Sequence, residues 1–380
     1  MSQLRIVGGQ VLLPEAGLQD ADLALDEGRI AAIGAGAARR TLDARGLLVL
    51  PGIVDIHGDA FERQVQPRPG VDFAPDIALR DTEAQLLANG ITTAFHGITL
   101  SWEPGLRSLE AWRALVAALG ADRFVCDMRV HLRWEAFNLA ALDTALADIA
   151  AGRVHLLAFN DHTPAILRRV GDPVTAAKYS DRAGMSLTEF RVLAERIGAQ
   201  ADAVPAALDR IGTAARAAGL AMASHDDESI AMRDAHRLRG ASICEFPVEE
   251  EVASAAREAG DWVVMGSPNV VRGRSHLGWA SAARMAEAEI CTVLCSDYYY
   301  PAMSRAALIL AGRGVLDLPR AWDLISANPA EAAGLADRGR IAPGLRGDLV
   351  LLDQAEARVV ATLVGGRVAY LSREGAGRLA

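Results

Sequence analysis

Apolar positions recur along most of the chain in short runs. Eight of them, at 47–56, 91–96, 124–131, 154–159, 219–224, 241–246, 261–266 and 290–296, have the length of buried strands. Between them lie stretches rich in Ala, Leu, Arg and Glu, at 76–89, 107–119, 138–151, 187–198, 200–218, 228–238, 249–259 and 279–288. Their length and spacing predict helices. Strand and helix in alternation predict a parallel sheet, and eight such units predict an α/β fold of the (β/α)8 TIM-barrel type. In that architecture the active site lies at the C-terminal ends of the strands. Residues 302–313 and 318–333 read as closing helices, and 160–186 reads as a long functional loop.

The chain ends follow a different pattern. Runs at 4–7, 10–13, 21–26 and 29–33 are separated by Gly8-Gly9 and Glu27-Gly28, and similar runs return at 347–353, 358–364 and 367–371. Short runs with glycine-rich turns predict strands and hairpins. Residues 1–46 and 340–380 are therefore expected to pair into one small β-sandwich-like domain beside a barrel of residues 47–339.

Composition narrows the function. Hydrophobic residues make up 51% of the chain, which marks it as globular. A net charge of −9 argues against a nucleic-acid partner. No apolar run reaches the roughly 18 residues of a membrane span, and no leader pattern opens the chain. A cytoplasmic protein with no membrane partner is expected, as is a homo-oligomer. Cys126, Cys244, Cys291 and Cys295 form no C-x-x-C pair and read as buried thiols. Lysine occurs once, at Lys178.

The chemistry gathers at the strand ends. His57 and Asp59 close the first strand two residues apart, so both face one side. Further strand ends carry His96, His131-Leu132-Arg133-Trp134-Glu135, Asp161-His162, His225-Asp226-Asp227, Glu245 and Asp297-Tyr298. Imidazole and carboxylate groups converging on one barrel face suit one or two divalent ions, zinc first, or manganese or iron. Such a centre serves hydrolysis. The ligand candidates are His57, Asp59, Glu135, His162, His225 and Asp297, with Asp297 also the general base. Two-ion barrels can bridge their metals with a carbamylated lysine. Lys178 lies in the 160–186 stretch, so Glu135 is the expected bridge instead. His96, His155 and His236 read as packing or surface residues.

A second set suits anions. Arg68 sits in the stiff stretch Pro67-Arg68-Pro69-Gly70, and Asn269, Arg272, Arg274 and His276 follow the seventh strand in a glycine-containing stretch. Arginine binds phosphate oxygens bidentately, and glycine lets the backbone approach them. His131, Arg133 and Tyr298 are further candidate substrate contacts. A phosphorylated small molecule is the expected substrate.

These stretches resemble the amidohydrolase superfamily over nearly the whole chain, through 51–57 and 344–350 above all. Within it the chain is most similar to the diphosphatase branch of the carbon–phosphorus lyase pathway. That likeness rests on His57-Gly58-Asp59, Pro67 to Asp72, His131-Leu132-Arg133, Asp161 to Pro164, Ser224 to Asp227, Glu245-Phe246-Pro247, Met265 to Gly273 and Ser296 to Pro301. It implies a metal-dependent hydrolase that releases pyrophosphate from a ribose 5-triphosphate carrying a 1-phosphonate, with the six ligands named above. The chain departs from that branch at Gly58, where a threonine is usual, and over Ala60-Phe61-Glu62-Arg63, as a paralogue with a changed substrate would. Hydrolysis of a C–N bond by the same centre is the second reading. A non-enzymatic scaffold is the third.

Overall fold

The computed structural model describes residues 2–34, 36–68, 70–121, 123–273 and 282–380. Two eight-stranded sheets organise them. The terminal sheet is built from β1 (Ser2–Leu13), β2 (Gly17–Asp26), β3 (Arg29–Ile33), β4 (Ala38–Asp43) and β5 (Leu48–Pro51), together with three late strands described below. The barrel sheet consists of β6 (Ile53–Gly58), β7 (Ile91–Leu100), β8 (Asp127–Glu135), β9 (Leu156–Asn160), β10 (Ala221–His225), β11 (Ile243–Glu245), β12 (Trp262–Gly266) and β13 (Val293–Cys295). Each barrel strand pairs in parallel with the next in sequence. The late strands β14 (Leu349–Asp353), β15 (Arg358–Val364) and β16 (Arg367–Leu371) then return to the terminal sheet, whose order is β16-β15-β14-β5-β1-β2-β3 with β4 on β1.

The barrel closes where the chemistry was expected. The Asp297 amide donates to the His57 carbonyl at 3.0 Å, and the Asp59 amide donates to the Asp297 carbonyl at 2.8 Å. Below this seam, Asp55 accepts hydrogen bonds from the Ser296 amide (3.0 Å) and hydroxyl (2.6 Å). Side chains alternate along each strand. Leu156 and Ala158 of β9 pack inside the barrel, while Leu157 and Phe159 pack toward the helices. Both faces are apolar, which is why the strands read as continuous runs and not as alternating ones. The four cysteines are free and buried.

The structure differs from the sequence reading in two elements. The apolar run 47–56 divides. Its first half, β5, pairs with β1 and β14, and only β6 enters the barrel. Pro51-Gly52 marks the break, but with both halves buried the run read as a single interrupted strand. The stretch 160–186 is helical, with helices at Thr163–Arg169 and Pro173–Ala183. Ile166, Val170, Ala176 and Ala183 make a small core with Phe190 and Ala194 of the following helix, Leu187–Gly198. The stretch is polar on average and is punctuated by Gly171, Pro173 and Gly184, so it read as a loop. Among the described residues no helix is long and apolar enough to cross a membrane.

Candidate metal centre at the barrel mouth

Three strand ends turn sharply. Asp226, Phe246 and Asp297 each follow a barrel strand with φ of 59°, 53° and 55°. The left-handed region is costly for residues with a Cβ, most of all for Phe. Backbone strain of this kind clusters where side chains must be aimed. Here it turns the chain directly after His225, Glu245 and the last barrel strand.

His57 and His131 meet Glu245 beneath the mouth. Nδ1 of His57 lies 2.9 Å from Oε2 of Glu245, and all three residues are almost wholly buried. Nδ1 of His131 donates to the Ile56 carbonyl at 3.0 Å, which leaves Nε2 as a bare acceptor. That Nε2 and Oε1 of Glu245 have no hydrogen-bond partner among the described residues. Burial keeps His131 neutral by pushing it down to about 3. The donor atoms of the three residues lie within 4.8 Å of one another.

A second group, His162, His225 and Asp226, satisfies the same limit. Nδ1 of His225 is 3.2 Å from Oδ1 of Asp226, and Nε2 of His162 is 3.7 Å from its Oδ2. Nδ1 of His162 lies 3.2 Å from Oε2 of Glu135. Burial opposes charge on His162, but Asp226 and Glu135 outweigh it and raise the imidazole to about 9. Glu135 is a buried acceptor. It takes hydrogen bonds from the Thr163 amide at 3.2 Å and the Thr163 hydroxyl at 2.7 Å. That hydroxyl in turn accepts from Nε1 of Trp102 at 2.8 Å.

Arg133 and two carboxylates stand between these groups. Nη2 of Arg133 donates to Nε2 of His225 at 3.0 Å, and Nη1 is 3.6 Å from Oδ2 of Asp59. Asp297 is pushed up to about 8, first by burial and then by the charge of Asp59. Asp59 rises to about 6 through burial and then Glu62. Carboxyls that are costly to ionise in this setting are what a cation would relieve.

The remaining candidates spread outward. Asn269 is buried in the helix Ser267–Arg272, with Oδ1 unpartnered among the described residues. Nη1 of Arg272 donates to the Tyr298 hydroxyl at 3.3 Å, and Arg63 lies over the Tyr298 ring at 5.9 Å. Arg68 is exposed on the segment that follows β6. Arg274 and His276 lie outside the described residues. His96 packs edge-on to Phe61 with neither ring nitrogen partnered. His155 accepts from the Val130 amide, and His236 stacks on Phe159.

Glu245 and Asp226 fall within the two groups that could hold an ion, although the sequence reading placed them at strand ends without choosing them. A lone carboxylate closing the run Ile243-Cys244-Glu245-Phe246 was the available signal. Arg107 was also passed over. It lines a cleft of 440 Å³ with Asp161, His162, Arg168, Arg169 and Asp226.

Comparison with known proteins agrees with this geometry. A model of the amidohydrolase family matches residues 48–369. The chain belongs to the amidohydrolase family. An Escherichia coli (strain K12) relative, alpha-D-ribose 1-methylphosphonate 5-triphosphate diphosphatase, is 30% identical over 93% of this chain and 96% of its own. An adenine deaminase from Methylobacterium sp. (strain 4-46) is 26% identical over 92% of this chain and 55% of its own length. The fold is shared with molinate hydrolase (TM-score 0.64, 14% identity, 97% of this chain and 94% of that one). Members of the amidohydrolase family are hydrolases that typically bind divalent metals. The residues of this amidohydrolase fit such an ion, because neutral imidazole nitrogens and carboxylate oxygens converge there and some lack any protein partner.

Proposed function

We propose that this protein is a metal-dependent phosphohydrolase that releases pyrophosphate from a ribose 5-triphosphate bearing a 1-phosphonate. The observation that carries this reading is the 30% identity to the E. coli diphosphatase across almost the full length of both chains. His57, His131 and Glu245, with His162, His225 and Asp226 beside them, would hold one or two divalent ions, with zinc the leading choice and manganese or iron the alternatives. A divalent ion there would polarise a phosphoryl oxygen and make water nucleophilic near neutral pH.

The protein's own groups do the rest. Asp297 takes the proton from the attacking water at its carboxylate. A cation beside it would favour the ionised carboxylate, the form that can accept and return a proton. Water forms a bond to the phosphorus nearest the ribose, the bond from that phosphorus to the next bridging oxygen breaks, and pyrophosphate leaves. Asp297 then returns the proton. Arg107, Arg168 and Arg169 line the cleft beside His162 and Asp226 and offset the polyphosphate charge there. Arg272, whose guanidinium donates to the Tyr298 hydroxyl, is a further cation for phosphate oxygens, after the seventh barrel strand.

Hydrolysis of a C–N bond is the second reading, favoured by the adenine deaminase relative. The test is to offer the metal-loaded protein the ribose triphosphate and a panel of cyclic amides and aminopurines. Pyrophosphate without amine or ammonia release supports the first reading. Ammonia or amine release with no pyrophosphate overturns it.

A further inference from the structure

Between the two ligand groups stands a cation that the chain supplies itself. We propose that Arg133 takes the place of a second metal, so that the centre binds one divalent ion and not two. The proposal rests on the metal-centre reading above.

The guanidinium engages the atoms that a second ion would need. It donates to Nε2 of His225 at 3.0 Å and lies 3.6 Å from Oδ2 of Asp59. Arginine only donates, so the His225 proton sits on Nδ1, facing Asp226. Asp226 in turn faces His162, and His162 faces Glu135. On this side of the mouth the charged groups thus face one another in sequence and end on Arg133, although Nδ1 of His225 makes no hydrogen bond among the described residues. The other side has no arginine: His57 meets Glu245 at 2.9 Å, and His131 Nε2 and Glu245 Oε1 are left without hydrogen-bond partners among the described residues. Two imidazoles and a carboxylate suffice for one tetrahedral ion with an open position.

Arg133 is built in, not draped over the site. Its side chain is 6% exposed. A Cβ at Gly97 would come within 3.1 Å of its Cδ, so the residue without a side chain opens the path the arginine takes. The charge is permanent, because guanidinium does not deprotonate in proteins. A divalent ion bound to His225 and Asp59 would have to displace it or face it at contact distance, where like charges repel strongly.

The experiment is metal counting. Wild type, Arg133→Met and Arg133→Lys are loaded with excess Mn2+, freed of unbound metal and assayed for ions per chain by mass spectrometry. Wild type and Arg133→Lys should hold one ion. Arg133→Met, which keeps the apolar stem and loses the charge, should hold two. Wild type with two ions overturns the proposal, as does a folded Arg133→Met variant that still holds one. Electron paramagnetic resonance of fully loaded wild type gives a check that needs no variant. An isolated Mn2+ signal is expected, and an exchange-coupled pair overturns the proposal. If no protein retains any ion, the metal-centre reading itself fails.

Discussion

Thr163 shows how much of the site one side chain can hold. Its hydroxyl donates to Glu135 and accepts from Trp102, so Thr163→Val strands the indole N–H and leaves that Glu135 oxygen with only the Thr163 amide. Leaving such groups unpaired costs ~1–3 kcal/mol, to be read as a lowered urea midpoint. The same variant should bind metal roughly tenfold more weakly, as expected when a group that orients a metal site is lost. His236 carries a pH prediction far from the mouth. Burial, then Arg239 and Arg233, push its imidazole down to about 4. Its folded-state value lies below the unfolded one, so the stability it contributes is full above about pH 6.5 and is lost as pH falls toward 4. The ceiling on that loss is ~3 kcal/mol. Urea midpoints at pH 7.5 and 4.5 should therefore converge in His236→Phe relative to wild type. An unchanged difference would mean that His236 does not titrate between the folded and unfolded states.

At the scale of elements, the seam between β6 and the residues after β13 is the critical join. Gly58 sits on it with no room for a side chain. A Cβ there would lie 2.7 Å from Oδ2 of Asp55 and 2.8 Å from Oγ of Ser296. A threonine at this position would force the Asp55–Ser296 pair apart. Gly58→Thr should cost ~2–3 kcal/mol in denaturant unfolding, from overpacking and weakened buried hydrogen bonds. Some features were harder to read than others. His57 and Asp297 announced themselves because a polar residue ending an apolar strand stands out. Glu245 gave the same signal more faintly, and only the turn at Phe246 and the meeting with His57 show what it does. The break after β5 was marked by Pro51-Gly52, but burial on both sides let the run read as one interrupted strand. The helices at 163–183 were masked by low average hydrophobicity and by Gly171 and Pro173 between them, although Thr163-Pro164 begins the first of them with proline in its first turn.

For the whole molecule, the barrel and terminal sheet were legible because alternation of strand and helix constrains topology strongly. Pairing between side chains was not, because it depends on distances between strands remote in sequence. Arg133 is the plainest example: it read as a substrate contact, yet its guanidinium lies against Asp59 and His225. A metal at the mouth should stabilise the entire fold, since it binds the folded state only. At free metal about 100-fold above its dissociation constant the gain is about 2.7 kcal/mol. Chelation should thus lower the melting temperature by several degrees, and added Zn2+ or Mn2+ should restore it.

The central claim is that the strand-end centre, with Asp297 as its proton acceptor, hydrolyses a triphosphate. Phosphorus NMR of the ribose triphosphate, incubated with metal-loaded wild type and with Asp297→Asn of equal metal content, tests it most directly. The account predicts a pyrophosphate signal with wild type and a rate at least ~100-fold lower with the variant. Pyrophosphate appearing at equal rates from both proteins, or from neither, would contradict it.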